Sequence, residues 1–457
     1  MAEERALDAT GLEKRKQLVR AVIASAVGTS IEWYDFFLYG FAASTIFAEL
    51  FFPTSDQTTG LLLALGTYFG GFAARPIGAA IFGHYGDRIG RKATLIITLL
   101  TMGIATALVG LVPTYEQIGI WGGILLTVLR LVQGISVGGE WGGSVLLATE
   151  WGSSRGGRRG FLGSWPQFGV PVGLVLGYLA LQVFQPLDPY WGWRIPFLLS
   201  LVMAAVGLYI RLGILETPVF TKVLQENKVE RVPVREVIRR NWREIVLGAL
   251  LRTGQQAPFY IFTVFILTYA TRDLGFARGD VYTYVIVAGV VSLFTVPFWG
   301  YISDLVGRRR LYIVGAAAMV VWSFIYWPLL DTRVPSLVFL AIVLAAPIHD
   351  IQYGPQATFI AESFTGRLRY SGASLGYQLA SVTAGGPAPL IAVWLYGTYQ
   401  SSFAIAVYMA ICGVISVAAA FALKDRSHHD YAIEYDEPQP TPGEAQPSPG
   451  DPAPRGG

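Results

Sequence analysis

Gly83-His84-Tyr85-Gly86-Asp87-Arg88-Ile89-Gly90-Arg91-Lys92 returns in the second half of the chain as Gly300-Tyr301-Ile302-Ser303-Asp304-Leu305-Val306-Gly307-Arg308-Arg309. Gly, Asp, Gly and Arg fall at the same spacing in both copies, and each copy follows a long apolar run. Glu150 with Arg159-Gly160 is echoed by Glu362 with Arg369 and Gly372. Glu32-Trp33-Tyr34-Asp35-Phe36-Phe37 lines up with Gln255-Gln256-Ala257-Pro258-Phe259-Tyr260. A charge cluster at a membrane surface would account for the arginines. It would not account for Gly and Asp repeated at fixed spacing. The chain reads as a parallel duplication, and parallel repeats of membrane-spanning units place a binding site between the halves, near the midplane.

Composition points the same way. Of 457 residues, 53% are hydrophobic and 14% charged, against roughly 25% charged in a typical soluble protein. About twelve apolar runs reach the length needed to cross a ~30 Å hydrocarbon layer. They lie near 20–47, 58–83, 93–112, 118–148, 160–184 and 193–213, then 243–270, 280–302, 310–330, 336–362, 370–396 and 402–423. The expected fold is an all-α membrane protein with twelve transmembrane helices in two pseudo-symmetric six-helix bundles. A short segment, 1–19, precedes the bundle over 20–213. A polar linker, 214–242, separates it from the bundle over 243–424, and a Pro-, Gly- and acid-rich tail, 425–457, reads as disordered. The first run is too long for a signal peptide and is expected to stay as a helix. Lys and Arg gather in alternate connections (Arg88, Arg91 and Lys92; Arg155, Arg158 and Arg159; Arg308, Arg309 and Arg310; Arg367 and Arg369). By the positive-inside rule these connections and both termini are cytoplasmic.

The first run carries two acids. Glu32 and Asp35 stand three residues apart, on one side of a helix. Each costs roughly 2.5–3.5 kcal/mol at mid-span on insertion scales, and short acidic side chains cannot snorkel out. A polar path is the better reading. Single Cys412 excludes an internal disulfide, and four histidines without metal-ligand spacing offer no metal site. No phosphate-binding loop or nucleic-acid surface is legible, so neither an enzyme nor a cofactor is expected.

The repeated loop, with Arg130-Leu131-Val132-Gln133-Gly134, resembles the motifs of the major facilitator superfamily. The stretch from Ile31 to Gly40, Ala74-Arg75-Pro76-Ile77-Gly78 and Gly138-Gly139-Glu140-Trp141-Gly142-Gly143 resemble its metabolite:proton symporters, particularly shikimate and α-ketoglutarate permeases. The resemblance covers roughly 20–424 and implies the major facilitator fold. It also implies a pairing of Asp35 with Arg130, made and broken by one proton. A further implication is a cytoplasmic gate in which Asp87 accepts from the backbone opening span eleven, near Tyr370 to Ala373. Gly83, Arg88, Arg91, Asp304, Arg308, Glu150, Arg159, Glu362 and Arg369 belong to the same gate.

Other mid-span residues have two readings each. Glu140 shares a face with Gln133 and serves either proton coupling or packing among glycines. His349 either shuttles protons or simply bonds Asp350, with Tyr353 on the same side. Arg252, Gln255 and Gln256 fall within about 100° of arc and would hold an anionic substrate group, unless Arg252 snorkels to the surface. Arg75 is a ligand or a structural anchor. Glu32, Asp35, Arg130, Gln133, Glu140, Arg252, Gln255, Gln256, His349 and Asp350, with Trp33, are expected to line a central cavity. The leading expectation is proton-coupled uptake of a small organic acid through the bacterial inner membrane by a monomer. The alternatives are a proline- or betaine-like osmolyte symporter and an exporter of the same fold.

Overall fold

The computed structural model describes residues 11–53, 57–152, 158–184, 186–188, 190–213, 215, 221, 233–365 and 368–426. Most of the linker and nearly all of the tail lie outside the described residues, as do the side chains of Asp87 and Arg91. Long helices follow in chain order: α1 (Gly11–Thr45), α2 (Gln57–Ile89), α3 (Arg91–Val109), α4 (Ile120–Gly152), α5 (Arg159–Phe184) and α6 (Arg194–Leu212). The second six are α7 (233–273), α8 (Arg278–Val306), α9 (Arg308–Asp331), α10 (Pro335–Ala361), α11 (Arg369–Tyr399) and α12 (Ser402–Ala422). Nine of these helices are long and apolar enough to cross a membrane. The other three carry Glu32 and Asp35 (α1), Arg75 (α2), and Arg252, Gln255 and Gln256 (α7), and that polar load lowers their hydropathy.

Two helices start earlier than their apolar runs. α1 is helical from Gly11, and α7 from Pro233, with a kink at Asn241 (φ −119°, ψ 24°). The kink joins the polar end of the linker to the first apolar turn of α7. Further on, α7 turns π-helical at Ile261–Phe265 and Tyr269–Asp273, and α11 at Ser381–Gly385. Among the described residues these wide turns occur only in the second half. Such bulges are frequent at functional sites.

Lipid offers helices no hydrophobic drive to associate, so close packing through small residues has to supply it. Gly134 and Gly138, four apart on α4, lie so near α2 that an added Cβ would stand 2.0 Å from the Gly71 and Arg75 carbonyl oxygens respectively. Gly169 and Gly173 bring α5 nearly as close to the backbone of α1, where an added Cβ would stand 2.7 Å from the Ala26 carbonyl oxygen and 2.5 Å from the Tyr34 amide nitrogen. In the second half Gly354 of α10 would set a Cβ 2.8 Å from the Gly300 amide nitrogen of α8. Between halves, α5 packs on α8 and α10, while α2 packs on α11. Outward faces carry exposed apolar side chains such as Phe294, Val314 and Phe403, as a lipid solvent requires.

The motif glycines have a conformational reason. Gly90 and Gly307 lead into α3 and α9 at φ 109° and 92°, a region open to glycine and closed to bulky residues.

Candidate functional site

Asp35 sits 1% exposed on α1. One carboxylate oxygen accepts from Ser200 of α6 and the other from Thr106 of α3 at 2.9 Å. Gln133 Nε2 donates to Thr106 Oγ1 at 2.6 Å, and Arg130 Nη1 donates to Gln133 Oε1 at 2.9 Å. The direct Asp35–Arg130 ion pair that the family resemblance implies is therefore not formed in this conformation. Two neutral side chains stand between, because Gln133, one turn beyond Arg130 on α4, reaches the acid's hydroxyl partner first. Arginine, amide, hydroxyl and acid make one chain across α4, α3 and α1.

Arg130 keeps Nε and Nη2 without an acceptor although it is 1% exposed. Its guanidinium lies 4.2 Å from the Phe36 ring centre and 4.3 Å from that of Tyr39. Arg75 covers Phe36 as well, at 4.1 Å, and also contacts Phe72 at 4.6 Å and Trp33 at 5.5 Å. Arg75 is 1% exposed, and none of its three guanidinium nitrogens has an acceptor. Trp33 stacks on Tyr260 of α7, which also meets Phe72 edge-on, so this aromatic wall joins both halves. The sequence leaves Arg75 as either a ligand or a structural anchor. Here it emerges as the barest cation of the core.

Glu32, one turn before Asp35, is 2% exposed, and its Oε2 has no partner. Glu140 does not pack idly among glycines. It forms a buried ion pair with Arg211 of α6 and accepts from Thr98 at 2.8 Å and Ser144 at 3.2 Å. Arg211, at the last turn of α6, belongs to none of the sequence motifs. The hydroxyls of Thr98, Thr106 and Ser200 have no sequence signal. All four are site residues that only the packing reveals.

In the second half, residues from one arc of α7 part company. Gln255 Nε2 lies 2.8 Å from His349 Nε2 on α10, while Gln256 donates to Ser381 of α11 at 3.2 Å. Arg252 does not snorkel. It is 1% exposed and donates to the Tyr377 carbonyl at 2.6 Å, leaving Nε without an acceptor. His349 Nδ1 is 2.9 Å from Asp350 Oδ1, and Asp350 Oδ2 accepts from Thr295 at 2.5 Å. An amide nitrogen only donates, so His349 accepts at Nε2 and donates at Nδ1. His349 also stacks on Phe259 at 5.0 Å and meets Tyr353 at 5.1 Å. His349, Asp350, Tyr353 and Phe259 line a small, mostly apolar cavity of about 40 Å³ between α5, α7, α8 and α10.

Both ends of the core are shut. At the arginine-rich end Asp304 accepts from the Gly160 and Phe161 amides, both at 2.8 Å, across the halves at the start of α5. Arg308 pairs with Asp304 at 2.9 Å and with Glu362 at 3.0 Å, and Glu362 pairs with Arg159 at 3.5 Å. Gly83 and Gly86 lie against Ser371 and Tyr370 at the start of α11, and the Tyr370 hydroxyl donates to the Gly139 carbonyl at 2.6 Å. Glu150 and Arg369 are buried at this end, and Arg88 is exposed. At the opposite end Tyr178 of α5 donates to the Thr263 carbonyl in the first π-helical turn of α7 and packs on Phe41 at 3.4 Å.

The family model described as Major Facilitator Superfamily matches residues 25–386 and 255–449. The chain is 37% identical over 419 residues to the inner membrane metabolite transport protein YhjE of Escherichia coli (strain K12), covering 90% of this chain and 94% of that one. It is 38% identical over 415 residues to the shikimate transporter of the same strain, covering 89% and 94%. The structure is similar to that of the proton:xylose symporter XylE bound to 6-bromo-6-deoxy-D-glucose, with a TM-score of 0.71, 18% identity and coverage of 89% and 95%.

Proposed function

The chain belongs to the Major Facilitator Superfamily, and from that premise we propose that it is a proton-coupled symporter carrying a small organic acid across the bacterial inner membrane by alternating access. One observation supports this reading above all. Arg75, Arg130 and Arg252 converge from both halves, each 1% exposed, with guanidinium donors left unsatisfied. Buried charges are paired or costly, and an anion with several acceptor oxygens suits such donors best. The Tyr68 hydroxyl and the Trp33 indole N–H also lack partners, so hydroxyl-bearing carbon is favoured over a plain alkyl chain. A hydroxylated monocarboxylate such as shikimate is the first candidate, and a dicarboxylate such as α-ketoglutarate the second. A betaine-like cation would need open aromatic faces, but Arg75 and Arg130 already cover Phe36.

Asp35 supplies the proton site. Its carboxyl touches hydroxyls and meets Arg130 only through Thr106 and Gln133. An ionised Asp35 draws that cation inward, and a protonated one releases it. The path runs within one chain, so a monomer suffices. The arginine-rich end and both termini face the cytoplasm by charge distribution.

Proteoliposomes with an acidic exterior test this. Shikimate or α-ketoglutarate should accumulate above its external concentration and leak back when a protonophore is added. Accumulation of proline, betaine or a sugar, with neither shikimate nor α-ketoglutarate moved, would overturn the reading.

A further inference from the structure

We propose that Arg75 is the carboxylate-binding group of this site and that Glu32 is its proton-gated competitor. Ionised Glu32 takes the guanidinium, and protonated Glu32 yields it to the substrate. This rests on the organic-acid reading above.

The case begins with the arginines. Arg130 has given Nη1 to Gln133, Arg252 is held by the Tyr377 carbonyl, and Arg211 is committed to Glu140 and the Leu95 carbonyl. Arg75 alone among these has every nitrogen free, while Phe36, Phe72 and Trp33 fix its plane. Ring faces attract a cation without accepting directed hydrogen bonds of ordinary strength. Its whole two-pronged donor edge is thus available to a carboxylate.

Glu32 is the matching half. Its Oε2 is equally unsatisfied, and no ion pair within 4 Å holds it among the described residues. The charged and titratable groups around it are Asp35 on its own helix, Arg75 on α2, Glu140 on α4, Arg211 on α6, Arg252 on α7 and Tyr377 on α11. On the α5 side it meets glycines, with Gly169 and Gly173 against the turns that flank it. Of the cations, Arg75 lies against Trp33 and Phe36, the residue next to Glu32 and the one a turn beyond it on α1. Arg211 is already neutralised by Glu140. A buried acid and a buried guanidinium, near one another and each unpaired, are groups that exchange partners. One proton on Glu32 converts a carboxylate to an acid, leaves Arg75 to the substrate, and so ties substrate binding to proton binding without contact between the two.

Binding of shikimate to the full-length protein in nanodiscs, followed calorimetrically from pH 5.5 to 8.5, tests this. Shikimate's own carboxylate stays ionised across that range, as ordinary carboxylic acids do. In the parent protein Kd should rise with pH, approaching the limit of about tenfold per unit for one released proton. Glu32→Gln should bind tightly with a flat profile. Arg75→Lys should weaken binding by about tenfold or more, and Arg252→Lys by less than about threefold. An unchanged pH slope in Glu32→Gln, or parent-like affinity in Arg75→Lys, overturns the proposal while leaving organic-acid transport standing. Failure of the parent protein to bind either shikimate or α-ketoglutarate at any pH overturns both.

Discussion

α1 and α7 occupy equivalent places in the duplicated chain, yet they do opposite things with polar side chains. Where α1 has Glu32 and Asp35, α7 has Gln255 and Pro258. Around α1 lie cations and acids held by hydroxyls, by rings, or by nothing (Arg75, Arg130, Glu32). Around α7 the chain from Gln255 through His349 and Asp350 to Thr295 is bonded from end to end. The backbones differ in the reverse sense: α1 is an unbroken α-helix, whereas α7 and α11 contain wide π-helical turns. Duplication preserved the scaffold and divided the labour. Movable charge lies in the first half, and deformable backbone in the second.

The sharpest way to break that division is to neutralise one acid in each half. Asp35→Asn should lower the accumulation ratio driven by a proton gradient by about tenfold, leaving the share coupled through Glu32, while counterflow exchange, which needs no net proton, stays within about threefold of the parent. Asp350→Asn should slow transport and leave the accumulation ratio nearly intact. If both variants lose the ratio equally, proton work is shared and the contrast between α1 and α7 is wrong.

Packing should not follow that division, because both halves use the same device. Gly138→Ala on α4 and Gly354→Ala on α10 each force a Cβ into a neighbouring backbone. Overpacking of this kind costs about 1–3 kcal/mol. The unfolding temperature in detergent should fall in both variants, and further in Gly138→Ala, whose Cβ would press more closely on its neighbour's backbone. An equal or larger loss in Gly354→Ala would show that the second half is the more rigid.

Much of this was legible in sequence, for identifiable reasons. Repeated Gly and Asp at fixed spacing gave the duplication, and acids inside apolar runs gave the polar core. The apolar run that opens the second half begins near 243, just past the kink at Asn241, and a short helix of polar sequence at 233–240 precedes the kink. Arg252, Gln255 and Gln256 share an arc, but side-chain length and neighbours, not arc, decide where they point. Arg252 and Gln256 turned to α11 and Gln255 to α10. Thr106 and Ser200 were invisible, since nothing marks a hydroxyl as the partner of an acid on another helix.

His349 gives a finer test of the second half. Gln255 presents Nε2 to it and keeps Oε1 unpartnered. The amide turned over would present Oε1 to the ring instead, so this contact can serve either tautomer of His349. If the second half only shapes the path, His349→Gln should reduce uptake by less than about tenfold, roughly one buried hydrogen-bonded contact. Its pH profile should match that of the parent. Loss of the alkaline or acid limb of the profile would move part of the proton work to α10.

The smallest expected effect concerns the gate, where the halves should be interchangeable. Asp304 crosses from α8 to cap α5, with each oxygen 2.8 Å from an amide of its first turn. Arg308 steadies it and bridges to Glu362. A carboxylate at a helix start contributes about 0.3–1 kcal/mol beyond a neutral acceptor. Asparagine would keep one oxygen and turn an amide nitrogen toward a backbone N–H, losing one bond as well as the charge. Together these come to about 1 kcal/mol, or roughly a fivefold shift toward the state open at the arginine-rich end. Ser164, buried on α5 against Gly300, reports that opening. The single native cysteine, Cys412, is buried and contributes little background. In a Ser164→Cys background, Asp304→Asn should speed maleimide labelling by about fivefold, and Asp87→Asn should do the same if the duplicated latch is used twice. Acceleration by only one of the two would mean that the gate, like α1 and α7, has diverged between the halves.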